Sequence, residues 1–248
     1  MTILLIETAT QICSVALAVD GEIVAERHSD EPNAHSSKLA LFIDDLLKHS
    51  STQALKHSST QALNHSSTQA LKHSLSAVCV SSGPGSYTGL RIGVSSAKGI
   101  AYALGIPLLA VPTLQNMAML YYAQHPDYDG LVCPMIDARR MECYTAIFSR
   151  QGMLRNTQAD VIEEGIFDNW LNDNKVTFIG DGAAKTRPIL STHPNALYDD
   201  TFQLSASGMF QEAQRKLEAG EKEDTAYFEP FYLKDFVAKK SVVHGLRD

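Results

Sequence analysis

The residues most able to do chemistry here are a glycine-rich turn, a run of spaced histidines and four cysteines. Gly83-Pro84-Gly85-Ser86-Tyr87-Thr88-Gly89 lies between an apolar run and a helical pattern. Such a turn can aim backbone N–H groups at an anion held at the helix N-terminus. It is not a Walker loop, because no Gly-Lys-Ser/Thr follows. The simpler reading is a tight turn capped by Ser86 or Thr88. The histidines belong to a tandem repeat. Lys48-His49-Ser50-Ser51-Thr52-Gln53-Ala54-Leu55 recurs at 56–63 and, with Asn64 for Lys, at 64–71; Lys72-His73-Ser74 begins a fourth copy. Histidines eight apart lie ~12 Å apart along a helix, too far to share one metal. A tandem duplication in a surface connection at 48–73, where insertions are cheap, is therefore simpler than a binding array. Cys13, Cys79, Cys133 and Cys143 form no CxxC pair and show no zinc-ligand spacing. In apolar, strand-like contexts they read as reduced, buried thiols of a cytoplasmic protein.

Charge narrows the partners. The 248 residues carry a formal net charge of −7 and offer no long basic run. Autonomous nucleic-acid binding usually needs a basic face, because neutralising phosphates drives affinity. If the pathway touches RNA, another protein supplies most of the contact. No run reaches ~18 uninterrupted apolar residues, so no membrane span is expected. The opening Met1–Thr10 has no basic flank and carries Glu7 inside its apolar run, which reads as a buried strand and not a secretory signal.

The elements that position these groups come twice. Strands are expected at 3–6, 14–20 and 22–28, with Asp20-Gly21 as a hairpin turn. Leu39, Phe42, Ile43, Leu46 and Leu47 recur as one face of an amphipathic helix. His35, Ser36 or Ser37 could open it. A strand at 77–81, a helix from Thr88 to Leu104, a strand at 107–111 and a helix at 114–124 follow. The pattern then restarts: strands at 131–136, 142–148 and 153–161, a helix at 163–172, a strand at 176–180, and helices at 184–190 and 205–218. A duplicated α/β architecture follows, with a first lobe over 1–112, a second over 113–225 and a tail at 226–248 packing back on the first.

The helix after the glycine turn has a row of small residues four apart: Gly89, Gly93, Ala97, Ala101 and Gly105. Glycines inside a helix cost roughly 1 kcal/mol each against alanine. Close backbone approach can offset that cost. Spacing leaves open whether the neighbour belongs to the same lobe or to a partner.

The stretch Gly83–Ala118, GPGSYTGLRIGVSSAKGIAYALGIPLLAVPTLQNMA, resembles the signature of the TsaB (YeaZ) family. The likeness continues at Ile3–Glu26, His35–Leu47, Cys133–Phe148, Phe178–Ala183 and Glu229–Ala238, in the family's order. It covers most of the chain; the repeat matches nothing in it. The resemblance implies a two-lobed α/β fold of the actin/hexokinase-like (ASKHA) kind. It implies a non-catalytic paralogue that pairs with TsaD, the threonylcarbamoyl transferase, in modifying the adenosine next to the tRNA anticodon. The ATPase TsaE would join the pair, tRNA would be met only through the complex, and an isolated chain would self-pair through the same surface. No catalytic residue, cofactor or metal is implied, and no histidine has another four residues away, the spacing TsaD-like enzymes use for metal.

Two sets of positions carry this expectation. Leu39, Phe42, Leu46, Gly89, Gly93, Ala97 and Ala101 would form the surface for TsaD, with Leu90, Ile92, Val94 and Leu104 left for the sheet. Glu7, Asp137, Gly180, Asp181 and Gly182 would mark a vestigial nucleotide site, because this fold usually places an aspartate at the end of its first strand. Simple turn chemistry is the competing reading for each. Two rival functions stay open: an active metallopeptidase-like or kinase-like member of the same superfold, and a stand-alone homodimeric binding protein.

Overall fold

The structure, a computed structural model, describes residues 1–57 and 75–234. Copies of the repeat beyond His57, and the tail from residue 235, lie outside the described residues. Two five-stranded mixed sheets carry the chain. In the first, β1 (Thr2–Glu7), β2 (Cys13–Val19), β3 (Glu22–Ser29), β4 (Ala77–Ser81) and β5 (Leu108–Val111) stand in the order β3-β2-β1-β4-β5. The first three form an antiparallel meander, and β4 and β5 add in parallel. The second sheet repeats this plan with β6 (Leu131–Asp137), β7 (Glu142–Ser149), β8 (Gly152–Val161), β9 (Val176–Ile179) and β10 (Ala196–Asp199), in the order β10-β9-β6-β7-β8. This is the two-lobed actin/hexokinase-like arrangement that the resemblance implies.

Both faces of the central strands of each sheet are buried, and the period of two sorts the side chains between them. Leu4, Ile6, Val15, Leu17, Val78 and Val80 meet the helices α1 (Ala34–Ser37), α2 (Leu39–His57) and α3 (Tyr87–Leu104). Ile3, Leu5, Ala16, Ala18, Ala77 and Cys79 point the other way, onto a 3₁₀ turn at Ala206–Met209 and α7 (Phe210–Glu218). In the second sheet, Cys133, Met135, Ile147 and Phe178 face α5 (Asp168–Leu171) and α6 (Ala183–Leu190), while Val132, Ile136, Ala146 and Phe148 face α4 (Thr113–Gln124). All four cysteines are buried and unpaired. Among the described residues no helix is long and apolar enough to cross a membrane.

Several expectations need correction. The segment 206–218 belongs with the first lobe, because Ala206, Met209 and Ala213 complete the core beneath β1 and β4. The chain therefore crosses between lobes near Pro112 and returns near Ser205. The helix expected at 163–172 shrinks to four residues, since Gly165 takes φ +81° and breaks it. Strand β10 carries no strong strand signal and exists through parallel pairing with β9. Ser36 and Ser37 do not cap α2; their hydroxyls donate to the Asn33 carbonyl at 3.0 Å. Residues 226–232 of the tail lie on the first lobe, whereas Lys234 pairs with Glu142 of the second. Lys98 Nζ donates to the carbonyls of Ala226 and Phe228, and Tyr232 packs on the Tyr87 ring at 5.0 Å.

Edge strand β8 carries a part-buried ion pair of its own, linked to β7 through Thr145. Both terminal nitrogens of Arg155 reach Asp160 at 2.7 Å, and Asp160 also accepts from Thr145 on β7. Asp160→Ala leaves the Arg155 charge half-buried without its acid, and we expect a loss of about 2 kcal/mol in chemical denaturation.

Candidate functional site

The carboxyl ends of β1 and β6 are matching positions in the two lobes. Each opens a turn that leads into an antiparallel partner strand. Glu7 ends β1 and Asp137 ends β6, as the sequence suggests, but the two carboxylates have different surroundings.

Glu7 is fully buried. Its Oε1 accepts from the Ala9 amide at 2.8 Å and from the Ser81 hydroxyl at 2.7 Å. Its Oε2 accepts from Asn116 Nδ2 at 2.7 Å. The same Asn116 nitrogen reaches the Ser205 carbonyl at 3.1 Å. Glu7 thus ties β1 and β4 to both crossings between the lobes: α4 just after the first, and Ser205 at the second. Among the described residues no cation partners it. Burial pushes its pKa up, and the donors around it, the Ala9 amide first, pull back only part of that rise.

The turn after Glu7 is covered by the glycine helix. Ser86 N donates to the Ala9 carbonyl at 2.6 Å. A Cβ added at Gly89 would overlap the Thr8 carbonyl oxygen, and one at Gly93 would overlap the Thr8 hydroxyl. The glycine-rich turn is therefore the capped tight turn of the simpler reading, with Ser86 Oγ accepting from Gly89 N at 3.3 Å. Ala97 and Ala101 are buried in the same lobe, as are Leu39 and Leu46 on α2. This overturns the expected docking row. Of the seven positions assigned to a partner, only Phe42 keeps partial exposure. The row faces inward because the β1–β2 turn must pass directly under α3, and only residues with little or no side chain leave room. Among the described residues, these helices show to solvent Ala40, Leu41, Asp44 and Lys48 on α2, and Thr88, Arg91, Ser95, Gly99, Tyr102 and Ala103 on α3.

The second lobe offers an exposed carboxylate. Asp137 Oδ1 accepts from the Arg139 amide at 2.7 Å and pairs with Lys185. Partial burial raises its pKa, but Lys185 and the Arg139 amide outweigh that, and the net shift is downward. Asp181 Oδ1 accepts from the Asp137 amide at 3.0 Å. Its pKa is raised, by desolvation first and by the Asp137 charge as well. Gly180 and Gly182 are packing positions: a Cβ at Gly180 would run into the Met135 carbonyl, and one at Gly182 would lie 3.0 Å from the Ile136 carbonyl carbon. The structure thus brings Asp137, Asp181 and Lys185 together and holds Glu7 apart from them, inside the first lobe. Among the described residues no group of three or more His, Cys, Asp or Glu could hold a metal ion.

A family model described as TsaD, tRNA N6-adenosine threonylcarbamoyltransferase, matches residues 45–242, most of the chain. The tRNA threonylcarbamoyladenosine biosynthesis protein TsaB of Bacillus subtilis is 33% identical over 186 residues, 73% of this chain and 71% of that one. The chain belongs to the TsaB family. The TsaB of Haemophilus influenzae is 26% identical and aligns over 98% of this chain and 97% of its own. YeaZ from Pseudomonas aeruginosa superposes with a TM-score of 0.74 at 24% identity, covering 94% of this chain and 99% of that one. The match to the TsaD model fits a shared two-lobed plan, and the curated relatives place the chain on the TsaB side of it.

Ser81, Asn116 and Ser205 are the residues that sequence reading missed in this TsaB-family chain. Each is an ordinary polar residue in an apolar context. Only the buried carboxylate of the first lobe, met by residues from both crossings, makes them partners, and nothing local in the sequence signals that.

Proposed function

We propose that this chain is a non-catalytic subunit for threonylcarbamoylation of the adenosine next to the tRNA anticodon, acting through TsaD. The observation that carries this reading is the Glu7 network. At the strand end where a nucleotide-using member of the fold presents a carboxylate, this chain buries one and closes it in with Ser81 and Asn116. The turn that would wrap a phosphate lies under α3. TsaD then supplies the transfer chemistry, TsaE joins the pair, and tRNA is held through the complex, in keeping with the net charge of −7.

The inward-facing row leaves a different docking surface. The outer face of α2 and α3 carries Leu41 at 65% and Tyr102 at 85% exposure, beside the low relief of Ser95, Gly99 and Ala103. Exposed apolar side chains flanking a flat stripe suit a helix-on-helix contact. In isolation the same face serves self-pairing. Leu41→Glu with Tyr102→Glu should abolish co-purification with TsaD while the melting temperature stays within a degree or two, since exposed positions contribute little to stability. Retained co-purification would sink the docking face. Threonylcarbamoyl transfer by the chain alone, free of TsaD, would refute the non-catalytic reading.

A further inference from the structure

Strand β6 ends at Asp137 and β7 opens at Glu142, and the turn between them carries two adjacent arginines. Arg139 and Arg140 both have left-handed backbones, at φ 72° and 51°. Side chains of L-residues disfavour that region, and glycine or asparagine enters it at less cost. Turn chemistry alone would select other residues here. The remaining cations of the neighbourhood are occupied: Lys185 pairs with Asp137 and donates to the Glu142 carbonyl, and Lys234 pairs with Glu142. Arg139 and Arg140 are exposed, and among the described residues neither guanidinium makes a hydrogen bond or close ion pair, though the Arg139 charge is felt by Asp137. Their flanking turn residues, Ala138 and Met141, are half-buried, so the turn lacks the exposed apolar surround typical of a protein–protein hot spot.

We propose that Arg139 and Arg140 form a phosphate-contacting tip that touches the tRNA backbone in the assembled complex. Guanidinium groups match phosphate oxygens in a bidentate, charge-assisted geometry. A tight hairpin end, closed by the Ala138 amide on the Glu142 carbonyl and the Glu142 amide on the Arg139 carbonyl, holds two of them side by side at the surface. The tip adds contacts to those of the partner and does not make the lone chain an RNA binder. The inference rests on the tRNA-pathway reading above.

The test uses the complex with TsaD and measures tRNA affinity across a salt series. Each phosphate contact contributes about 0.7–0.9 to the slope of log K against log salt. Arg139→Asn with Arg140→Gly should make that slope shallower by about 1–2. The melting temperature of the isolated variant should stay equal or rise, because both replacements suit the left-handed backbone. Arg139→Lys with Arg140→Lys keeps the charge and should keep most of the slope. An unchanged slope in the Asn-Gly variant, with wild-type complex binding tRNA normally, overturns the tip alone. Loss of complex assembly by the variant, with an unchanged slope in whatever assembles, overturns it in favour of carboxylates on the partner protein. A wild-type chain that never assembles with TsaD overturns both the tip and the function on which it rests.

Discussion

Gly89→Ala is expected to lower the melting temperature sharply, although alanine is the better helix former. The propensity gain is about 1 kcal/mol. Against it stands the new methyl, which would overlap the Thr8 carbonyl oxygen, a backbone atom that cannot swing away. Relief requires moving either the β1–β2 turn or α3, both held by the first core. Overpacking of this kind exceeds the usual range of 1–3 kcal/mol, and we expect a net loss of about 3 kcal/mol. For a chain of this size that is a fall of roughly 6–12 °C. Gly99→Ala is the internal control. Gly99 lies mid-helix on the exposed face with nothing within 4 Å of its would-be Cβ. That change should raise the melting temperature by roughly 2–4 °C. Thermal denaturation of the two variants side by side checks both signs. A Gly89→Ala chain as stable as wild type would return the small-residue row to the surface.

Glu7→Ala should cost at least as much. It leaves the Ala9 amide, the Ser81 hydroxyl and one of the two Asn116 amide N–H groups as buried donors without an acceptor, while the other Asn116 N–H keeps the Ser205 carbonyl. Each orphaned donor costs about 1–3 kcal/mol, so a total of about 3 kcal/mol is the lower expectation. Glu7→Gln should be far milder. Its remaining oxygen serves Ala9 and Ser81, and Asn116 can rotate its amide to offer the otherwise unpartnered Oδ1, at the cost of its bond to the Ser205 carbonyl. The Gln variant also isolates the charge. Burial raises the Glu7 pKa, so the folded chain holds that proton more tightly than the unfolded chain does. Glu7 therefore withdraws stability as pH climbs from its unfolded value of about 4.3 through the raised folded value. Urea denaturation across that window should show the wild type losing ground to Glu7→Gln as pH rises. Parallel pH profiles for the two would overturn the buried, unpaired carboxylate. Hydrogen exchange near residues 112–116 and 203–207 should quicken in Glu7→Ala if the network ties the crossings to the first lobe.

What the chain determined by itself was its local and periodic content. The alternation in Ile3–Ile6, Val15–Val19 and Ala77–Val80, the Asp20-Gly21 turn and the Leu39–Leu47 stripe each state an element and its buried face, because side-chain direction follows backbone period. The repeat of that plan after residue 131 made two similar lobes legible, and the segment Gly83–Ala118 made the family legible. Tertiary structure decided the rest. The small-residue row was equally compatible with a partner and with the lobe's own turn; the path of Thr8 and Ala9 beneath α3 settled it. Segment 206–218 reads as part of the second half and packs under the first, because the surface it covers, Ile3, Leu5 and Cys79, lies far away in sequence. Glu7 and Asp137 end matching strands, yet one is locked inside and the other faces solvent. A carboxylate's role depends on which groups surround it in space, and for Glu7 those groups come from residues 81, 116 and 205, which no local pattern links to it.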